Sequence, residues 1–371
     1  MHSGKNGDEQ IMFPIAEQLR FYAGKRVMIT GDTGFKGTWL AIWLHGLGAE
    51  VLGYALPAKS EQTQFVLAGL DRLITHVDGD IRDSQKLFKT VNEFQPEVIF
   101  HLAAQAIVKY SYEEPKLTFD TNTGGSVNVL EAVRKTESVR SVVYITSDKC
   151  YRNKEWVWGY RENDELGGED PYSCSKAAAE IVFLAYLNSY FKSRKNLGIA
   201  STRAGNVIGG GDWALDRIVP DCMRALQSDQ PIVLRSPRAT RPWQHVLEPL
   251  WGYLLLGMRL WEFPKEFSGS WNFGPPTGSG QTVEELVSLL IRYWGRGEYR
   301  IAGDANASAH HEARLLQLNT DKARMELHWK TRWDVRQAAE ETVRWYKSVH
   351  EGEKALEVTR LQIKRYSGEA M

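Results

Sequence analysis

Two short runs carry the residues best suited to chemistry. Tyr172-Ser173-Cys174-Ser175-Lys176 places a phenol and an ammonium four residues apart. On a helix that spacing puts both on one face. A neighbouring ammonium favours the phenolate and lowers a tyrosine pKa from its usual value of about 10. Such a pair can take a proton from an alcohol during hydride transfer. Ser147-Asp148-Lys149 offers a hydroxyl, a carboxylate and an ammonium directly after the apolar run Val142 to Thr146. At the carboxyl edge of a strand these groups can orient a sugar hydroxyl and move a second proton. Ser147, Asp148, Lys149, Tyr172 and Lys176 are therefore the candidate catalytic set.

An anion site lies far upstream. Val27-Met28-Ile29-Thr30 stops at Gly31, and glycines recur at Gly34 and Gly37 before an apolar helical pattern begins. This reads as strand, tight turn and helix start. Gly31 can take turn dihedrals denied to other residues, Gly34 lets the backbone close on a bulky anion, and Gly37 lets the helix pack closely. Backbone N–H groups at the helix start then face a pyrophosphate. Gly31, Thr33, Gly34, Phe35, Lys36 and Gly37 are candidate dinucleotide contacts. The second strand, Glu50 to Leu56, lacks the usual ribose-binding acid: Val51-Leu52-Gly53-Tyr54-Ala55-Leu56-Pro57 has neither acid nor arginine. Lys59 is a nearby cation able to meet a 2′-phosphate, so this segment leaves NAD and NADP both open.

The elements that must position these groups follow in alternation. Thr38 to Leu47, Phe65 to Leu73, Ser84 to Phe94, Asn122 to Thr136 and Tyr172 to Phe191 have helical periodicity. Strands are expected at Glu50–Leu56, His76–Asp83, Val98–Leu102, Ser141–Thr146 and Leu197–Arg203. This order predicts an α/β fold with a doubly wound parallel, Rossmann-type sheet. Ligands in such folds bind at the carboxyl ends of the strands, where the strand order reverses. After about Gly205 the rhythm breaks at Gly209-Gly210-Gly211 and several prolines, which predicts a smaller C-terminal substrate-binding lobe. The expected boundaries are a flexible tail at 1–20 and a dinucleotide-binding domain at 21–205 with a return near 241–262. A substrate lobe over 206–350 and a charged tail at 351–371 complete them. Thr282 and Glu285 form a capping signal for a helix reaching Trp294, and Val335 to Val349 reads as an amphipathic surface helix.

Composition narrows the function classes. The 371 residues are 43% hydrophobic and 25% charged, with 46 basic and 46 acidic side chains, an ordinary globular mix. Zero formal net charge speaks against a general nucleic-acid binder. No apolar run is long enough to span a membrane. Cys150, Cys174 and Cys222 are odd in number and widely spaced, which suits a reducing cytoplasm and neither a disulfide framework nor a metal cluster. The 13 tryptophans could be core or stacking surfaces for a base or sugar. Adjacent His310 and His311 with Glu312 have no third ligand at a set spacing, so no metal is assigned.

Taken together, Gly31/Gly34/Gly37, Asp80-Ile81, Ala103-Ala104, Asn122 and Tyr172/Lys176 resemble the extended short-chain dehydrogenase/reductase pattern. Four longer motifs resemble the CDP-glucose 4,6-dehydratase family within it: Ser147-Asp148-Lys149-Cys150-Tyr151, Trp158 to Asn163 (WGYREN), Arg203 to Trp213 (RAGNVIGGGDW) and Arg241 to Val246 (RPWQHV). Most sister dehydratases carry Asp-Glu where this chain has Asp148-Lys149. The resemblance, from about Phe21 to Trp345, implies NAD as cofactor and CDP-glucose as substrate. It adds Asp80, Ile81, Leu102, Ala103, Ala104, Asn122, Tyr172 and Lys176 to the cofactor contacts.

The implied reaction oxidises C4, loses water across C5 and C6 and returns the hydride to C6. Tyr172, helped by Lys176 and Ser147, would take the 4-hydroxyl proton. Asp148 would protonate the departing 6-hydroxyl, and Lys149 would act at C5. The product would be CDP-4-keto-6-deoxyglucose, an intermediate for deoxysugars of bacterial surface polysaccharides. Gln105, Lys109, Asn206, Arg217, Arg235, Arg241, Trp243 and Glu312 are the expected substrate contacts, the arginines because a guanidinium binds phosphate in a bidentate fork. Lys109 stands where the closest relatives are expected to carry Arg. A cytoplasmic homodimer through the helices Asn122–Thr136 and Tyr172–Phe191 is expected. The alternatives are a dehydratase for another nucleotide sugar, a nucleotide-sugar 4-epimerase, or a non-catalytic nucleotide-binding protein. An epimerase needs no acid to expel a 6-hydroxyl, so Asp148 separates the first two.

Overall fold

Residues 15–302 and 315–368 are described by the computed structural model. Alternation along the strands builds the centre. Val27 and Ile29 of β1 (Arg26–Thr30) enter one core and Met28 enters the other. In β5 (Ser141–Ile145) Val143 and Ile145 divide in the same way from Val142 and Tyr144. That is the signature of strands covered on both faces. β2 (Glu50–Ala55), β3 (Thr75–Asp78), β4 (Val98–His101), β6 (Gly198–Ala204) and the strand Gly269–Phe273 complete a seven-stranded sheet.

All pairings in that sheet are parallel. Its order is Gly269–Phe273, β6, β5, β4, β1, β2, β3, so direction of growth reverses between β1 and β4. The expected doubly wound fold is present, and its crevice opens at the carboxyl ends of β1 and β4.

The helix Leu247–Glu262 lies against β5 and β6. Tyr22 Oη donates to Leu254 O at 2.7 Å and Ser141 Oγ to Gly257 O at 2.7 Å. The smaller lobe is built from three two-stranded pieces and the helices Ile218–Gln227 and Val283–Trp294. Thr282 and Glu285 form the capping box that the sequence announces.

Several boundaries need correction. Ile15, Leu19 and Tyr22 are buried, so the expected N-terminal tail ends before residue 15 among the described residues. The strand expected over 76–83 stops at Asp78, where Gly79–Asp83 turns. The helix expected from Asn122 becomes regular only at Ser126, after a wide turn over Asp120–Gly125. Val335–His350 is not a surface helix: Ala338, Val343, Trp345 and Tyr346 are buried, and Tyr346 Oη donates to Asp212 O.

The charged segment at 351–371 is not a tail either. It forms the helix Ala355–Ser367, because its apolar residues Val358, Ile363 and Tyr366 share a buried side. Tyr366 Oη donates to Glu248 Oε2 at 2.7 Å, and the backbone N–H groups of Arg332 and Trp333 donate to the same carboxylate. Burial pushes Glu248 up to about 7 despite these donors. Tyr366→Phe removes one donor from a buried carboxylate and should destabilise the fold by about 1–3 kcal/mol in denaturant titration. An unchanged midpoint would mean that the last helix contributes little.

Candidate active site

The turn at Gly31 is shaped by close approach. Gly31 has φ +83°, and a Cβ there would lie 2.8 Å from Ala103 N, so β1 and β4 meet backbone to backbone. A Cβ at Gly37 would lie 2.1 Å from Gly31 O, which holds the first turn of the helix Phe35–Gly46 onto the loop. Gly34, the N-cap residue, is exposed toward the crevice. Thr33 Oγ1 donates to Leu56 O at 3.0 Å, joining the turn to the end of β2. Free N–H groups at the start of a 12-residue helix suit a pyrophosphate.

Leu102, Ala103 and Ala104 continue β4 across this turn, with Ala103 N donating to Thr30 Oγ1. Asp80 and Ile81 follow β3. Asp80 is paired with Arg82 and, with Asp120, Gly124 and Asn128, lines an open surface groove of about 760 Å³.

Asn122 differs from the expectation of a direct cofactor contact. Its Nδ2 donates to Gln105 O and Ser175 Oγ, both at 2.9 Å, and its Oδ1 accepts from Gln105 N at 2.8 Å. Gln105 is likewise engaged: Nε2 donates to Ile107 O and Thr118 Oγ1, and Oε1 accepts from Ile107 N. Both amides brace the loop after β4, since their donors are used within the protein.

The catalytic candidates come together where β5 ends. Ser147 caps the short turn Asp148–Cys150, accepts from Lys149 N at 3.2 Å and donates to Asp148 Oδ1 at 3.0 Å. Tyr172 and Lys176 lie on the first turns of the helix Pro171–Tyr186, packed against that turn. Both are buried, and the Ser147 hydroxyl is near enough to the Tyr172 phenol to oppose the rise in its pKa.

The electrostatics reverse one expectation. Burial pushes the Tyr172 phenol up to about 12, with Ser147 and Arg217 opposing and Asp148 reinforcing. Burial also pulls Lys176 down to about 8, which weakens it as the cation expected to favour the phenolate. Asp148 is raised by burial, against the pull of Lys149, Ser147 and Lys36. A raised carboxyl is suited to giving a proton. The half-buried Lys36 is pulled to about 8, first by burial and then by Arg217, so the turn lysine reaches the same cavity.

Beneath these groups lies a buried ion pair that sequence reasoning missed. Glu180, one turn after Lys176, bonds Arg203 of β6 through Oε1 to Nε at 3.0 Å and Oε2 to Nη2 at 2.8 Å. Thr146 and Ser201 also donate to Glu180, and Arg203 donates to Tyr151 Oη and Glu162 O. The i to i+4 step from Lys176 to Glu180 was the available signal.

The expected substrate residues divide. Arg217 Nη1 pairs with Asp212 at 2.9 Å and its charge reaches Tyr172. Lys109 and Arg235 both meet Asp216, at 3.2 and 3.5 Å. Three cations are thus gathered at one mouth, held by two aspartates that the sequence did not single out. Arg241 donates to Thr240 O on a short strand paired with Gln281–Thr282. Half-buried Asn206 sits between β6 and Val207–Ile208. Trp243 is 7% exposed and packs into the main core, so it is not an open stacking platform. Glu312, with His310 and His311, lies outside the described residues. Among the described residues no group of three His, Cys, Asp or Glu is placed to hold a metal, and no helix is long and apolar enough to cross a membrane.

The model of the GDP-mannose 4,6-dehydratase family matches residues 28–255. A CDP-glucose 4,6-dehydratase of Salmonella typhimurium is 46% identical over 350 residues, covering 93% of this chain and 97% of that protein. Among solved structures, a dTDP-glucose 4,6-dehydratase from Streptomyces venezuelae with NAD and TYD bound superposes with a TM-score of 0.75 at 23% identity, covering 89% of this chain and 99% of that one. A UDP-glucose 4-epimerase from Thermus thermophilus in complex with NAD gives 0.73 at 25% identity, over 87% and 99%. The glycine turn, the buried tyrosine and lysine and the acid at the end of β5 are thus set in a fold shared with nucleotide-sugar enzymes, and the chain belongs to the CDP-glucose 4,6-dehydratase family of extended short-chain dehydrogenases/reductases.

Proposed function

We propose that the protein dehydrates CDP-glucose to CDP-4-keto-6-deoxyglucose with NAD. The observation that carries this reading is Asp148, a buried carboxyl whose pKa burial raises, beside Ser147 and near Tyr172. Expelling a 6-hydroxyl requires such an acid, and exchanging configuration at C4 does not. The near full-length similarity to a CDP-glucose 4,6-dehydratase supports the choice of base and sugar.

NAD, when bound, would supply the acceptor for the C4 hydride and the donor that returns it to C6. Tyr172 takes the 4-hydroxyl proton, with Ser147 bonding its oxygen and Lys176 and Arg217 stabilising the phenolate. The 4-ketone acidifies the C5 proton, and Lys149 acts there. Asp148 gives its proton to the departing 6-hydroxyl, which leaves as water. Lys109, Arg217 and Arg235 exchange their aspartate partners for the substrate diphosphate, and Asn206 and Arg241 line the same side.

The three free cysteines suit a reducing cytoplasm. A homodimer through the helical segments Asn122–Thr136 and Tyr172–Phe191 would cover Ile181, 58% exposed, and Tyr190, 48% exposed.

Purified protein given CDP-glucose should release the 4-keto product, read by mass spectrometry. Turnover of a different nucleotide sugar alone would sink the substrate but keep the reaction class. Tyr172→Phe and Asp148→Asn should each lower kcat by roughly 10²–10⁴-fold, the usual worth of a general acid or base.

Because burial raises the folded Tyr172 pKa to about 12, its phenol stays protonated through neutral pH in the unliganded protein. An ultraviolet difference titration of wild type against Tyr172→Phe should show no tyrosinate from this residue below about pH 10. A step near neutrality would mean that Lys176 outweighs burial. Ile181→Glu should yield a monomer in light scattering, and a persistent dimer would place the interface elsewhere.

A further inference from the structure

The end of β2 lacks the acid that would hold the adenosine ribose, and the neighbouring strand places one beside it. In the β2–β3 register Gly53 faces His76 and Ala55 faces Asp78. Directly paired residues of parallel strands project to one face, so Ala55 and Asp78 share the side on which the glycine turn lies. That side is identified by Gly53: a Cβ there would lie 2.0 Å from Asp32 Oδ2.

His76 joins the turn to the strand end. Its Nδ1 is 2.7 Å from Asp32 Oδ2 and its Nε2 is 3.2 Å from Asp78 Oδ1. Both ring nitrogens face carboxylates, which accept only, so the doubly protonated, cationic ring satisfies both contacts. Phe65 packs on the ring, its centroid 4.9 Å away. The hydrogen bond to Asp32 is also the chief reason that the His76 pKa is raised. Asp32 is fully buried, and its Oδ1 has no hydrogen-bond partner among the described residues.

The three groups sum to one net negative charge, equal to that of the single acid normally found at the end of β2. Asp32 and His76 are enclosed, whereas the Asp78 side chain is 64% exposed at the carboxyl edge. We propose that Asp78 is the specificity-determining residue for the cofactor: positioned by His76 and Asp32, it accepts the adenosine 2′-hydroxyl of NAD and repels the 2′-phosphate of NADP. This rests on the dinucleotide reading of the glycine turn. A carboxylate has acceptor capacity for a ribose hydroxyl, and an anion at the same place meets it without a compensating proton. The exposed Lys59, in the loop after β2, would be the contrary influence.

The test is calorimetric titration of the intact protein with NAD and with NADP, without substrate, for wild type, Asp78→Asn and Ala55→Asp/Asp78→Asn. Wild type should bind NAD at least about tenfold more tightly than NADP, the least expected of a hydrogen bond to a charged group. Asp78→Asn should bring the two dissociation constants within about threefold, and adding Ala55→Asp should restore the preference by returning the acid to β2. A ratio unchanged in Asp78→Asn would overturn the inference, as would a wild-type preference for NADP, which Lys59→Ala would then trace to Lys59. A failure of the folded wild type to bind either dinucleotide would instead overturn the cofactor reading itself.

Discussion

The site depends on the buried pair Glu180–Arg203. An ion pair enclosed this fully gains little net stability over apolar side chains, but removing one partner alone costs about 3–5 kcal/mol. Its value lies in what it joins. Glu180 accepts from Thr146, the residue before Ser147, and stands one helical turn beyond Lys176. Arg203 reaches Tyr151, just after Asp148-Lys149-Cys150, and Ser270 on the edge strand. The strand end with the acid, the helix with the base and the loop closing over them therefore share one reference. Tyr151 Oη passes that reference on to Asn272, whose amide in turn holds the backbone of Tyr160.

Burial sets the proton balance above that pair. Lys36 and Lys176 are pulled down to about 8, while Tyr172 and Asp148 are pushed up. Each shift favours the neutral form, as desolvation requires. Burial thus keeps the Tyr172 phenol protonated through neutral pH and shifts Asp148 toward its protonated form. At the mouth, solvent allows the opposite state: Lys109 and Arg235 remain paired with Asp216, and Arg217 with Asp212. Cofactor and substrate then alter the balance that burial alone has set.

Local chemistry made much of this legible in one dimension. Three glycines before a helical pattern, a Tyr and Lys four apart, and a hydroxyl–acid–amine run after an apolar strand each imply geometry through backbone periodicity alone. The parallel sheet followed from the same source, because strands covered on both faces need continuous apolar runs. Periodicity failed where long-range packing supplied the partner. The helix Ala355–Ser367 is rich in charge, and its buried contacts, among them those to Glu248 and Trp345, make it part of the core. Trp243 was expected as a substrate contact because it lies in the motif Arg241 to Val246, yet the core encloses it.

The sequence by itself carried the fold class and the glycine turn, and its spacing singled out the candidate reacting groups, since each is encoded within a few residues. Tertiary structure alone decided their states and companions. Whether Lys176 or desolvation governs Tyr172 depends on how much water remains around both, which no spacing specifies. Glu180 meets Arg203 across 23 residues, and Asp78 stands beside Ala55 through strand register. The acid missing from the second strand was never a property of that strand alone: an adjacent strand in the sheet can supply the charge, and only the folded register shows it.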